Sequence, residues 1–217
     1  MIFEFFRWLA IFTGFPTYWV FFKRKTYYED KQDFKKHKKG GAMVISNHYN
    51  LLDFILNMFL VLPRKLNIVA SEYAFKNKLL AFGMRFFGGI QADRNKKSLR
   101  FIDESVALIK NGRLVQIFPE GRNTPDGNIG AFKPTYIMIA LRADSVIIPI
   151  VTDGNYHIFK RTHVMVGKAI YLSEYGLNER SSKDEIICAN EEIRNRVIQL
   201  RGELEKMCEH VEKYQSF

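Results

Sequence analysis

The chain has 217 residues, 47% hydrophobic and 26% charged, with a formal net charge of +10. That length and apolar share suffice for one sizeable core, which excludes a disordered or fibrous chain and makes one globular domain with attachments the default. Two cysteines, Cys188 and Cys208, are too few for a disulfide framework and lack metal-ligand spacing, so no zinc site or other metal is expected and a reduced, cytoplasmic setting fits. The positive charge calls for an anionic partner without choosing among phospholipid, nucleic acid and an acidic carrier protein.

Residues 3–22 are crowded with aromatics, among them Trp8, Phe12, Tyr18 and Trp19. Glu4 and Arg7 lie inside this stretch and Gly14-Phe15-Pro16 interrupts it, which argues against a spanning helix. Its charges follow the apolar run and no small-residue cleavage site appears, so it does not read as a secretory signal either. The expectation is two short helices lying in a membrane interface, with Trp and Tyr at headgroup depth. Residues 23–39 then carry eight Lys and Arg against three Asp and Glu, a net +5. An anionic lipid surface attracts such a stretch at about 1 kcal/mol per cation, although a solvated linker would have the same composition. Residues 1–39 are thus expected to form an interfacial helical anchor and basic linker on the cytoplasmic face of the cell membrane, and residues 40–217 the folded domain.

Ala42-Met43-Val44-Ile45 is a continuous apolar run that reads as a strand buried on both faces. It ends in a polar cluster, Ser46-Asn47-His48-Tyr49-Asn50, followed by a helix beginning at about Asp53. The edge of an open α/β sheet is where such folds place their chemistry. Four residues between His48 and Asp53 let the carboxylate return to one imidazole nitrogen, which would set the tautomer and leave the other nitrogen able to take a proton. Taken alone, the spacing suits a helix cap and a surface pair as well.

Further along, Leu66–Ala70 reads as a second buried strand, and residues 77–87 as a helix stopped by Gly88-Gly89. Gly89-Ile90-Gln91-Ala92-Asp93-Arg94 returns to strand character and ends on a cation able to grip a phosphate, or to make a surface ion pair. Ser98–Lys110 is an amphipathic helix stopped at Asn111-Gly112. Leu114–Phe118 is a strand running into Pro119-Glu120-Gly121-Arg122-Asn123-Thr124, in which Pro119 stiffens the loop and Gly121 permits close backbone approach. Gly130-Ala131-Phe132-Lys133 and the strand Val146–Ile150, with Pro149 inside it, follow.

Four of these blocks, in this order, resemble the glycerophospholipid acyltransferases. Asn47-His48 with Asp53 resembles the family's His-x-x-x-x-Asp dyad, Gly89 to Arg94 its second signature, and Phe118-Pro119-Glu120-Gly121 the start of its Phe-Pro-Glu-Gly-Thr-Arg-Ser loop. Val146 to Ile150 is similar to the fourth, a buried strand read as acyl-pocket wall or plain core. The loop departs from the pattern at Arg122 and Asn123, so the guanidinium stands one position early. The resemblance covers about residues 40–152. It implies His48 as general base, Asp53 as its orienting partner, and Glu120, Gly121, Arg94, Arg122 and Lys133 as substrate contacts. It also implies acyl transfer from a thioester of coenzyme A or acyl carrier protein to the hydroxyl of a lysophospholipid, most plainly 1-acyl-glycerol-3-phosphate, with no cofactor and no nucleic-acid partner. Oxyanion donors are sought in backbone amides near the helix start or at Gly121. A hydrolase using Ser46 and a non-enzymatic basic binder remain as rivals.

Strand material is expected at 164–172. From Lys183 onward Ile186, Ile193, Val197, Leu200, Leu204, Met207 and Val211 recur at helical spacing, with Asn190 as a polar interruption. The fold expected from all this is α/β: a single domain with a mixed, partly parallel sheet flanked by helices.

Overall fold

The computed structural model describes residues 14, 23–92, 100–124, 126–156 and 160–215. Strands β1 (Lys25–Tyr28), β2 (Ala42–Ser46), β3 (Leu66–Ser71), β4 (Gly89–Ala92), β5 (Leu114–Ile117), β6 (Ile147–Thr152) and β7 (His163–Val166) form one sheet in the order β1-β7-β6-β2-β5-β3-β4. All pairings are parallel except β6 with β7. The mixed α/β sheet expected from the sequence is therefore present, with the apolar run at 42–46 as its central strand.

Helices α1 (Lys31–His37), α2 (Leu52–Leu60), α3 (Lys78–Phe86), α4 (Arg100–Lys110), α5 (Thr135–Ala143) and α6 (Lys183–Gln215) cover the two faces. Alternation along β2 divides the core. Met43 and Ile45 enter a cluster with Ile109 of α4, Ile137 of α5 and Leu200 of α6, while Ala42 and Val44 enter one with Phe34 of α1, Leu56 of α2 and Met84 of α3. Because both faces are covered, β2 has no polar side, which is why it reads as an unbroken apolar run. Asn190, the polar break in α6, is buried and donates from Nδ2 to the Phe132 carbonyl at 2.9 Å.

Three differences from the sequence reading have physical causes. First, the basic stretch 23–39 is part of the fold: β1 pairs with β7, and Asp30 caps α1 by accepting from the amides of Gln32 and Asp33. Glu29 pairs with Arg196 and accepts from Lys168 N, and Asp33 accepts from Ala169 N, so these carboxylates face the protein while Lys31, Lys35, Lys36 and Lys39 are exposed. Second, α5 has no counterpart in the sequence reading, because Thr135-Tyr136-Ile137 has strand-type residues and tertiary burial decides the outcome. Third, the strand expected at 164–172 stops at Val166. Pro149 can accept from Gly167 N but has no N–H to return, so the ladder breaks and resumes as one bridge, Ile147 with Ile170, before a 3-10 turn at Leu172–Tyr175.

The expected interfacial helices at 3–22 lie outside the described residues but for Gly14, and Arg94 lies outside them too. Among the described residues no helix is long and apolar enough to cross a membrane.

Candidate active site

The register of the central strands assembles the site. Ile45 is paired with Ile117 and with Pro149, so the segments leaving β2 and β5 emerge side by side at their carboxyl ends, as a switch point in an open α/β sheet requires. Asn47 extends the β2–β6 ladder with its side chain, Nδ2 donating to Thr152 O and Oδ1 accepting from Thr152 N, each at 3.0 Å. The backbone is thereby held one residue before His48.

His48 and Asp53 are in contact, Nδ1 to Oδ2 at 2.9 Å. The Asp53 carboxylate is fully buried, which is tolerable only if its lone pairs are satisfied. Oδ2 also accepts from Asn50 N at 2.7 Å, and Oδ1 accepts from the Tyr156 hydroxyl. Asn50 answers by accepting from Leu52 N through Oδ1 and from Asp53 N through its carbonyl, a reciprocal cap on α2. Helix cap and carboxylate–imidazole pair are thus both served by the same side chain. Phe118 fixes the plane of the imidazole, its ring centroid lying 3.8 Å away at an interplanar angle of 9°. With Nδ1 engaged by Asp53, Nε2 has no protein partner among the described residues, and His48 lines an open cleft.

Tyr156 was not singled out from the sequence, where it stands alone in a loop. Burial raises its phenol far above the ordinary value, and the Asp53 charge raises it further.

Glu120 is turned inward rather than toward the cleft. Its carboxylate accepts from His48 N at 3.3 Å, Thr124 Oγ1 at 3.0 Å and Gly130 N at 2.9 Å, and Thr124 N donates in turn to the His48 carbonyl at 2.7 Å. Glu120 therefore ties the 118–130 loop to the imidazole-bearing segment. Gly121 sits at φ +65°, closing a turn in which its N–H donates to Phe118 O at 3.0 Å. That amide is already committed, as are those of Asn50, Leu52 and Asp53 at the start of α2. Ser46 is buried and donates to the Asn47 carbonyl at 3.1 Å; its hydroxyl makes no hydrogen bond to His48.

Two clefts meet over the turn. One, of about 330 Å³, is lined by His48, Leu51, Met84, Phe118, Arg122 and Asn123 among others; the second, of about 320 Å³, by Phe101, Pro119, Lys133 and Thr135. Val69, Ala70, Ser71, Phe118 and Gly121 line both. Arg122 is exposed and lines the cleft that holds His48, while its Nη2 lies 3.8 Å from where a Gly130 Cβ would stand; it makes no ion pair within 4 Å among the described residues. The exposed Lys133 side chain lies over Gly121, where a Cβ would come within 3.1 Å of Nζ. Pro149 is buried in the sheet and lines neither of these two clefts.

The long helix α6 also reaches the site. Arg194 donates to the Gly130 and Ile129 carbonyls at 2.7 and 2.9 Å, and Arg201 to the Tyr49 hydroxyl at 3.1 Å. A second His–Asp contact, His163 Nδ1 to Asp153 Oδ2 at 2.9 Å, lies under the Tyr27 ring with Cys208 close by, the potential ligand atoms all within 4.8 Å of one another. His163 lines neither of these two clefts.

The α/β sheet thus presents a carboxylate-oriented imidazole at the carboxyl end of its central strand, beside clefts lined by Arg122 and Lys133, an arrangement chemically able to take a proton from a hydroxyl. Residues 20–153 match the family model described as Acyltransferase, and the chain belongs to that family. It is 21% identical over 173 residues to a Bacillus subtilis protein named 1-acyl-sn-glycerol-3-phosphate acyltransferase, covering 77% of this chain and 85% of that one. A chloroplastic Arabidopsis thaliana relative named 1-acyl-sn-glycerol-3-phosphate acyltransferase LPAT1 is 25% identical over 115 residues, which is 52% of this chain but 32% of the relative, so the chain spans about a third of that protein. The crystal structure of PlsC, the 1-acyl-sn-glycerophosphate acyltransferase of Thermotoga maritima, superposes with a TM-score of 0.58 at 23% identity, covering 82% of this chain and 73% of that one; this likeness shows a shared fold.

Proposed function

We propose that the protein transfers a fatty acyl group from a thioester of coenzyme A or acyl carrier protein to the free hydroxyl of 1-acyl-glycerol-3-phosphate, giving phosphatidic acid. The observation that carries this is the His48–Asp53 contact with Nε2 left open to the cleft. Nε2 takes the proton of the acceptor hydroxyl as that oxygen bonds to the thioester carbonyl carbon. Asp53 stabilises the imidazolium that results, and Tyr156 and Asn50 N hold Asp53 in place. Collapse of the tetrahedral intermediate expels the thiolate, which takes the proton back from the imidazolium; neither a metal nor a covalent acyl-enzyme is needed. Arg122 and Asn123 line the cleft and their amides make no hydrogen bond among the described residues, so these amides are assigned as the loop's oxyanion donors in place of Gly121. The names borne by the relatives support the lysophosphatidate acceptor. The basic, aromatic N-terminal segment supports work at the cytoplasmic face of an anionic membrane.

The test incubates purified protein with acyl-coenzyme A or acyl carrier protein thioester and a panel of lysolipids, with products identified by mass spectrometry. Acylated product from the phosphate-bearing acceptor is expected; no product from any lysolipid would refute the proposal. Arg122 and Lys133 are assigned to the acceptor phosphate. Arg122→Ala or Lys133→Ala should raise KM for lysophosphatidate by about 10- to 100-fold, the worth of one charge-assisted contact, and leave an uncharged monoacylglycerol acceptor unaffected. Tyr156→Phe should lower kcat about tenfold with little change in KM. An unchanged kcat would make Tyr156 a packing residue only.

A further inference from the structure

We propose that the outer face of α3 and of the 3-10 turn Glu72–Phe75 before it is a docking surface for an anionic lipid bilayer, additional to the N-terminal segment. This rests on the proposed lipid acceptor. Leu79, Phe82 and Tyr73 are 82%, 61% and 56% exposed, far more than large apolar side chains need be. Leu79, Phe82 and Phe86 follow one another at helical spacing, and the rings of Phe82 and Phe86 are stacked at 6.2 Å. The opposite side of the same segment is buried at Ala81 and Met84, and Ala74 and Met84 form part of the wall of the cleft that holds His48. The apolar face is therefore one helix thickness away from the imidazole.

Charge selects the occupant. Residues 72–92 hold Lys76, Lys78 and Arg85 against one carboxylate, the part-buried Glu72. All three cations are exposed, and Lys76 Nζ stands 4.3 Å from the Tyr73 ring centroid. An apolar, aromatic centre with a net positive edge matches the boundary between acyl chains and anionic headgroups. A second copy of this chain fits poorly, because a two-fold contact would set the same cations against their own images. Docked this way, the protein would hold the cleft against the leaflet in which a lysolipid resides.

Two measurements test this. A dye on Phe82→Cys, in a Cys188→Ser, Cys208→Ser background, should shift to the blue on vesicles of phosphatidylglycerol and phosphatidylcholine, and less on phosphatidylcholine alone. A blue shift without lipid that grows with protein concentration would assign the face to a second copy; one present without lipid at every concentration would assign it to the chain's own N-terminal segment. Either result, or no shift, overturns the proposal. The variant Leu79→Glu/Phe82→Glu should lose about tenfold or more of transfer to lysolipid in vesicles, and none to a soluble short-chain lysophosphatidate. Equal loss on both acceptors would mean a damaged fold and overturn the proposal. A blue shift in the labelled variant, together with wild-type protein that acylates neither acceptor, would keep the docking surface and remove the proposed reaction.

Discussion

His48→Ala should yield a folded protein whose acyl transfer is reduced by about 10²- to 10⁴-fold, the range that a positioned general base supplies. The loss should fall on kcat. The imidazole is part-exposed, stacks on Phe118 and lines the open cleft, so its removal widens that cleft rather than leaving a sealed cavity. Asp53 keeps Asn50 N and Tyr156 as donors, and the loop remains tied through Glu120, which bonds the backbone rather than the ring of His48. Thermal denaturation within a few degrees of wild type, alongside the activity loss, would separate chemistry from folding. Retained activity would remove His48 from the mechanism.

Asp53→Asn should be more damaging than its small change in shape implies, with activity down by about 10³- to 10⁴-fold, comparable with the same substitution in other His–Asp enzymes. Three donors converge on the wild-type carboxylate: His48 Nδ1, the Asn50 amide and the Tyr156 hydroxyl. An amide side chain must turn its NH₂ toward at least one of them. If it takes the place of Oδ2 it faces His48 and Asn50 together: Nδ1 becomes the acceptor, the proton moves to Nε2, which can then no longer act as a base, and two N–H groups oppose each other at the start of α2. If it takes the place of Oδ1 it faces the Tyr156 hydroxyl, which must turn to accept, and the ring is held by a neutral amide oxygen that cannot stabilise an imidazolium. The expected stability loss is about 1–3 kcal/mol, so this variant, unlike His48→Ala, should also show a lower Tm. Near-wild-type activity in Asp53→Asn would show that the carboxylate has no part in orienting the ring.

The sheet was legible where side chains obey one dominant rule. Ala42–Ile45 and Leu66–Ala70 are apolar on both faces because helices cover both, and α6 shows its buried stripe at intervals of three and four. β1 was hidden because Lys25-Thr26-Tyr27-Tyr28 is short, part-exposed and led by a cation, and only its pairing with β7 makes it a strand. The site divided in the same way. His48 and Asp53 are near in sequence and their spacing suggested their contact, whereas Tyr156 joins Asp53 across 103 positions and Arg201 joins Tyr49 across 152. Local pattern carries no trace of such partners. Glu120 was recognised by position, but its direction was not: the carboxylate points into its own loop, because three donors there compete successfully with anything in the cleft.

That inward turn clarifies the division of labour. Glu120, Asn47 and Arg194 build the frame, and Arg122 and Lys133 line the clefts, which is why the proposed phosphate contacts are placed on them. The burial of Ser46 against the Asn47 carbonyl removes the most obvious serine nucleophile from the neighbourhood of the base.

Direct transfer between two bound substrates, driven by His48, is the claim on which the rest depends. It is tested by following free thiol from acyl-coenzyme A in the presence and absence of lysophosphatidate, with the intact protein weighed by mass spectrometry in parallel. The account predicts thiol release only when both substrates are present, abolished in His48→Ala and unchanged in Ser46→Ala, with no acylated protein. A burst of thiol without acceptor, matched by a protein one acyl group heavier, would contradict it.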